Sequence, residues 1–204
     1  MGNMNKNKPL LSRGRIQLLS IFALFSLAPV SAILVWQYLG EHGVGSTTNN
    51  GALISPARPL AFEGSVLDDG STINDRQLKG AWLYVISGVN GCGEDCLKQL
   101  YVTRQTRIAV SKDMPRVKRI ILLTREADSS LREVLKADHP DLLVTTFVPE
   151  KLLEKFEGSN FSVNGKQYFL VDPLGNLMMF YGTDSIPRGV LKDLQKLLKI
   201  SQVG

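Results

Sequence analysis

The sequence predicts an α/β fold, a central sheet covered on both faces by helices and preceded by one transmembrane helix. Three observations predict it. A 24-residue run near the N-terminus holds no ionisable side chain, compact apolar runs alternate with helix-period segments further on, and a hairpin pattern precedes a last amphipathic stretch.

The chain has 204 residues, 44% hydrophobic and 21% charged, a balance that excludes global disorder. Its formal net charge of +5 is unevenly spread. Lys6, Lys8, Arg13 and Arg15 carry most of the excess in residues 1–15, and the remainder is close to neutral. A near-neutral body lacks the footprint for a polyanion, so nucleic acid is not expected as a partner.

Ile16 to Leu39 is the apolar run. At about 1.5 Å per residue it reaches about 36 Å, more than the hydrocarbon core of a bilayer requires. Basic residues lie at one end and Trp36 and Tyr38 at the other, so residues 1–15 are expected in the cytoplasm and the body outside it. A cleaved signal peptide is the alternative, since Val30-Ser31-Ala32 offers small residues for cleavage. The apolar run continues past that point through Trp36, which suits a retained anchor. The short Asn-rich start lacks the pattern of a transit peptide, and a bacterial inner membrane with a periplasmic body is expected. Residues 40–59, rich in Gly, Ser, Thr, Asn and Pro, read as a flexible linker, and the exported domain as residues 60–204.

Leu60 to Leu67 reads as a strand entering the Asp68-Asp69-Gly70 turn, and Trp82 to Ile86 as a strand covered on both faces. Leu97, Leu100, Tyr101 and Ile108 then recur at helical spacing. Arg119 to Thr124 and Leu142 to Phe147 read as further strands. Between them Ser130 with Glu133 suggests a capped helix ending near Ala137. Pro149-Glu150 opens a short helix. Tyr168–Val171 and Leu177–Tyr181 flank a turn at Asp172–Asn176, which predicts a hairpin. Ser185 is placed to cap a last helix with Ile186, Val190, Leu191, Leu194, Leu197 and Leu198 on one face.

The chemistry-bearing residues are Cys92 and Cys96, the only two cysteines. They lie in a Gly-rich loop between a buried strand and a helix. A helix starting at the first cysteine would put both sulfurs on one face, one turn apart. The helix N-terminus stabilises a thiolate there, whereas Glu94 and Asp95 oppose one. Two such thiolates can close to a disulfide or hold a soft ion such as Cu(I). A purely stabilising disulfide closing about five residues removes chain entropy worth only about 2 kcal/mol. A pair of inert core thiols is the other alternative.

The segment from about Leu60 onward resembles the Sco/SenC family of membrane-anchored cytochrome c oxidase assembly proteins. The residues that carry the resemblance are Asp68-Asp69-Gly70, Leu78-Lys79-Gly80, the Cys-x-x-x-Cys of Cys92 and Cys96, Phe169 to Gly175, and Tyr181-Gly182. It implies a thioredoxin-like fold, a role in oxidase assembly, an oxidase subunit or another assembly factor as partner, and Cys92 and Cys96 as copper ligands or redox pair. Two departures stand out. Leu97 replaces the proline that usually follows the second cysteine. Asn164 is the best match to the histidine that completes the family's copper site.

Replacement ligands are few. His42 falls in the linker and His139 at a helix-to-strand turn, while Met114, Met178 and Met179 offer thioethers. Met178 and Met179 are neighbours on a strand and point to opposite faces. Arg104, Arg107, Lys112, Arg116, Lys118 and Arg119 read as a solvated basic face. No phosphate loop, nucleotide fingerprint or Ser/His/Asp arrangement is present. The expected function is thiol-disulfide exchange through Cys92 and Cys96 in oxidase assembly. The alternatives are a copper chaperone and a docking protein without chemistry.

Overall fold

The computed structural model describes residues 13–42, 48–164 and 166–201. It divides into two compact units, Met1–Thr48 and Asn49–Gly204. The first holds α1 (Arg13–His42), which is long and apolar enough to cross a membrane by length and composition. The Ser20 hydroxyl donates to the Ile16 carbonyl and the Ser31 hydroxyl to that of Ala28, so each is satisfied within the helix. Pro29 lies inside the helix.

The second unit is built on a seven-stranded sheet of order β1-β7-β6-β3-β4-β5-β2. Its strands are β1 (Ala52–Pro59), β2 (Val66–Leu67), β3 (Trp82–Ser87), β4 (Val117–Leu122), β5 (Leu142–Phe147), β6 (Gln167–Val171) and β7 (Asn176–Gly182). β3, β4 and β5 run parallel, whereas β6, β7, β1 and β2 each join antiparallel. The helices are α2 (Asp75–Leu78), α3 (Glu94–Ala109), α4 (Ser129–Asp138), α5 (Glu150–Leu153) and α6 (Pro187–Ile200).

β3 shows why the apolar runs become central strands. Trp82, Tyr84 and Ile86 face one core layer with Leu100 of α3, Leu135 of α4 and Val190, Leu194 and Leu198 of α6. Leu83 and Val85 face the other, formed with Leu60, Phe62, Leu78, Leu152, Phe156 and Phe161. A strand buried on both faces needs no polar alternation. The sheet is therefore covered on both sides, as the sequence predicts.

Several local expectations change. The sheet begins at Ala52, within the stretch read as linker, because Ala52–Pro59 pairs with β7. Its two prolines are compatible with an edge strand, where one side needs no ladder donors. Of the strand expected over Leu60–Leu67 only Val66–Leu67 pairs, and Leu60 and Phe62 are loop residues buried in the core. Asp128, not Ser130, caps α4, its carboxylate accepting from the Leu131 N–H at 2.8 Å. Ile186, 74% exposed, stands at the N-cap of α6, with Pro187 opening the helix and no side chain capping it.

α3 carries the larger surprise. Leu97, Tyr101 and Ile108 are exposed, and the buried face is Cys96, Gln99, Leu100, Val102, Thr103 and Thr106. Thr103 and Thr106 can face the core because each hydroxyl donates to a carbonyl four residues back, Gln99 at 2.8 Å and Val102 at 3.0 Å.

The basic cluster is not a solvated face throughout. Arg119 is fully buried on β4, donating to the Leu100 carbonyl at 2.8 Å and to the Thr103 hydroxyl at 3.2 Å, and pairing with Asp141 at 3.3 Å. Arg107 joins Asp141 and donates to the Val117 carbonyl, and Arg116 ties Asp113 to the C-terminal end of α6. Burial lowers the Arg119 pKa to about 10, opposed by Asp141, and the group stays charged at neutral pH. Its Nη2 lies 3.3 Å from His139 Nδ1. Burial first, and then the Arg119 and Arg104 charges, depress the His139 pKa, while Asp138 and Asp141 oppose them.

A second polar clasp holds the start of the sheet. Buried Asp193 on α6 accepts from the backbone N–H groups of Asn50 and Gly51 at 2.8 and 2.9 Å, and from Tyr181 Oη at 3.3 Å.

Two predictions follow from these groups. Asp193→Ala leaves buried donors without an acceptor and should cost about 2 kcal/mol in denaturant unfolding, with faster amide exchange in β1. His139 resists protonation in the fold, so the unfolded chain binds more protons below its usual pKa of about 6.5, and stability drops as pH falls through that range. Thermal unfolding followed across that range should show this slope in the native chain and a shallower one in His139→Gln.

Candidate functional site

β3 ends at Ser87, and the loop Gly88–Gly93 carries the chain from the sheet to α3. Gly88 packs closely, since a Cβ there would come within 2.5 Å of the end of the Leu123 side chain, which would have to shift. Gly91 turns the loop with φ +98°, in the left-handed region that favours glycine, and its N–H donates to the Gly88 carbonyl at 2.9 Å. These two constraints bring Cys92 back over the end of the sheet.

Cys92 and Cys96 form a disulfide, with their Cα atoms 5.0 Å apart. The helix does not begin at the first cysteine as the spacing suggests. Gly93 is the N-cap of α3, so Cys92 lies just before the helix and Cys96 in its first turn. The bond staples the loop to the helix. Cys96 is buried at 5% exposure, whereas Cys92 is partly exposed and packs against the same core. Of the two sulfurs, that of Cys92 belongs to the more accessible residue.

A cavity of about 230 Å³ opens beside this disulfide, lined among others by Ser87, Asn90, Cys96, Gln99, Asn164 and Lys166. Asn90 Nδ2 donates to Asn164 Oδ1 at 3.2 Å, and the Ser87 hydroxyl donates to the Val163 carbonyl. These bonds join the loop before β6 to the loop that carries Cys92. Lys166 pairs with Asp95 at 3.1 Å across the mouth of the helix. That pair is solvated, so its contribution to stability is about 1 kcal/mol or less.

Asn164 lines the same cavity as Cys96. The other candidates lie elsewhere. His139 is buried against Arg119, Met179 is in the core, and Met178 and Met114 are partly buried against it. His42 ends α1, and its side chain lies outside the described ones. Gln99, Asn90, Ser87 and Lys166 escape the sequence reading. Only Gln99 carried a signal, since it follows Cys96 by three residues and so shares its helix face.

The donor set fits copper poorly. Cys92 and Cys96 are soft donors, but the cavity's remaining lining offers amides, a hydroxyl, carboxylates and an ammonium, and no imidazole or thioether. Among the described residues no group of three His, Cys, Asp or Glu side chains converges as a metal site.

A parallel core of three strands with antiparallel additions, helices on the face that meets α3, and a Cys-x-x-x-Cys disulfide at the start of α3 define a thioredoxin-like protein. Residues 82–201, from β3 through α6, match the family described as "Transmembrane-like, thioredoxin-like, C-terminal domain", and the chain belongs to that family. No curated protein matches it in sequence. Among solved structures, yeast Sco1 is similar with TM-score 0.59 at 16% identity, covering 74% of this chain and 100% of its own. ScoI of Bradyrhizobium japonicum, solved with copper bound, gives TM-score 0.52 at 18% identity, covering 67% of this chain and 99% of its own. BsSco, described as having a disulfide switch and as a member of the Sco family of cytochrome c oxidase assembly proteins, gives 0.53 at 11%, covering 73% and 99%. The resemblance to Sco/SenC proteins is met in the fold.

The cavity lining yields a direct prediction. Asn164→His would add an imidazole beside Cys96, and the reduced variant should bind Cu(I) more tightly than the native reduced chain in a competition titration.

Proposed function

We propose that this chain is a membrane-tethered thiol-disulfide exchange protein of cytochrome oxidase assembly, working through Cys92 and Cys96. The observation that carries the reading is the disulfide itself, closed between a partly exposed Cys92 and a buried Cys96 at the start of α3. Exchange needs one sulfur within reach of a visitor and a second that stays behind to resolve the mixed disulfide. Cys92 has the first property and Cys96 the second.

In the reducing direction for the partner, the Cys92 thiolate attacks the partner's disulfide and releases one partner thiolate. Cys96 then attacks Cys92, which frees the second partner thiol and closes Cys92–Cys96. Run backward, the same steps oxidise a partner dithiol. Orphan N–H groups in the first turn of α3 favour a thiolate at Cys92, and Glu94 and Asp95 moderate that effect.

The setting rests on α1 and on the likeness to Sco proteins. α1 anchors the chain in a bacterial inner membrane with residues 1–15 cytoplasmic and the thioredoxin-like domain periplasmic. The substrate is a cysteine pair in an oxidase subunit or in another assembly factor. Copper delivery is the second reading, supported by the copper-bound Bradyrhizobium japonicum structure and opposed by Asn164 and the absence of a soft third donor in the cavity lining.

Cys96→Ser removes the resolving thiol, so the full-length variant in membranes should accumulate a mixed disulfide through Cys92, visible as a thiol-sensitive band on non-reducing gels. Cys92→Ser should accumulate far less, because the remaining sulfur is buried. Equal trapping by the two variants, or none by either, contradicts the proposal.

A further inference from the structure

Gln99 is 2% exposed, lies one helical turn beyond Cys96 on the same face of α3, and lines the cavity beside the disulfide. Its Oε1 is buried, and no donor among the described residues meets it. A buried carbonyl oxygen without a partner destabilises the state that leaves it so. The disulfide has no hydrogen to offer it, whereas a thiol has one.

We infer that Gln99 is a positioning residue for the reduced pair, its Oε1 accepting a hydrogen bond from the Cys96 thiol that forms when the disulfide opens. This deepens the exchange reading and rests on it. When a partner dithiol reduces the protein, a partner thiolate attacks Cys92 Sγ, the Cys92–Cys96 bond breaks, and Cys96 leaves as a thiolate. It takes up one of the partner's protons and turns its S–H toward Gln99. The partner's second thiolate then displaces Cys92, so the partner ends as a disulfide. Two electrons have passed to the pair and one proton to Cys96, while the partner's other proton goes to solvent and Cys92 is left as a thiolate.

The consequence is a division of labour between the sulfurs. An acceptor at Cys96 favours its protonated form, which leaves Cys92 as the thiolate of the reduced state. The same contact favours the reduced state as a whole, since it satisfies an oxygen that the oxidised state leaves unmet.

Gln99→Leu removes the acceptor, and both effects then act in one direction. Equilibration of the full-length protein in detergent with a dithiothreitol couple should show the equilibrium constant for reduction falling about tenfold, a shift of about 30 mV for two electrons. Gln99→Met, similar in length and without an amide, repeats the comparison if leucine prevents folding. In Cys92→Ser, Cys96 is the sole thiol. Its infrared S–H stretch should move to higher frequency when Gln99 is also replaced, as a lost hydrogen bond requires.

A merely structural role would lower the stability of both redox forms alike and leave the equilibrium and the S–H band in place, and that result overturns the inference. If mixed-disulfide trapping fails while the equilibrium still depends on Gln99, the exchange reading falls and the contact stands. If trapping succeeds and the equilibrium ignores Gln99, only the contact falls.

Discussion

The double-sided burial of β3 constrains everything at the functional end of the domain. The strand is hydrogen-bonded to β4 on one edge and β6 on the other, and its side chains alternate between two closed apolar layers. Its register cannot slip by one residue without moving Tyr84 and Ile86 into the layer built for Leu83 and Val85. Because the register is pinned, Ser87 ends the strand at a fixed height, and the glycine loop has one short path to α3. The disulfide therefore lies just beyond the C-terminal end of the central strand as a consequence of core packing.

Electrostatics then distinguishes the start of α3 from its middle. At its start, free backbone N–H groups meet Glu94, Asp95 and a sulfur that can become anionic. Toward the strand behind it, a buried Arg119 is neutralised by Asp141 and bound to the Leu100 carbonyl. An unpaired charge at that depth would cost several kcal/mol. Arg119 thus locks α3 against β4, and the lock holds the helix that carries Cys96 and Gln99.

The sequence revealed what depends on continuous apolar runs and on turn chemistry. Trp82–Ile86 and Leu142–Phe147 were legible because central strands need no alternation. The hairpin was legible because Asp172 and Gly175 have specific turn roles, Asp172 accepting from the Leu174 and Asn176 N–H groups. Less was legible where side chains satisfy themselves locally. Thr103 and Thr106 look polar in the sequence yet face the core, since their hydroxyls bond within the helix. β1 was hidden by Pro56, which falls where the register with β7 shifts, and by Pro59 at its last residue, and Arg119 by a partner 22 residues away. At the site, the cysteines and Asn164 stood out by residue type and resemblance. Gln99 did not, because an amide acquires chemical meaning only once its burial and its lack of a donor are known.

A rigid sheet thus presents a disulfide in which Cys92 is partly exposed and Cys96 is held in the core. A redox titration of the full-length protein against glutathione measures that claim most directly. The account predicts a reversible two-electron transition at a potential well above about −300 mV, within the range of exchange-active pairs. A pair that stays oxidised below that potential would be a structural staple, and the functional reading would fail.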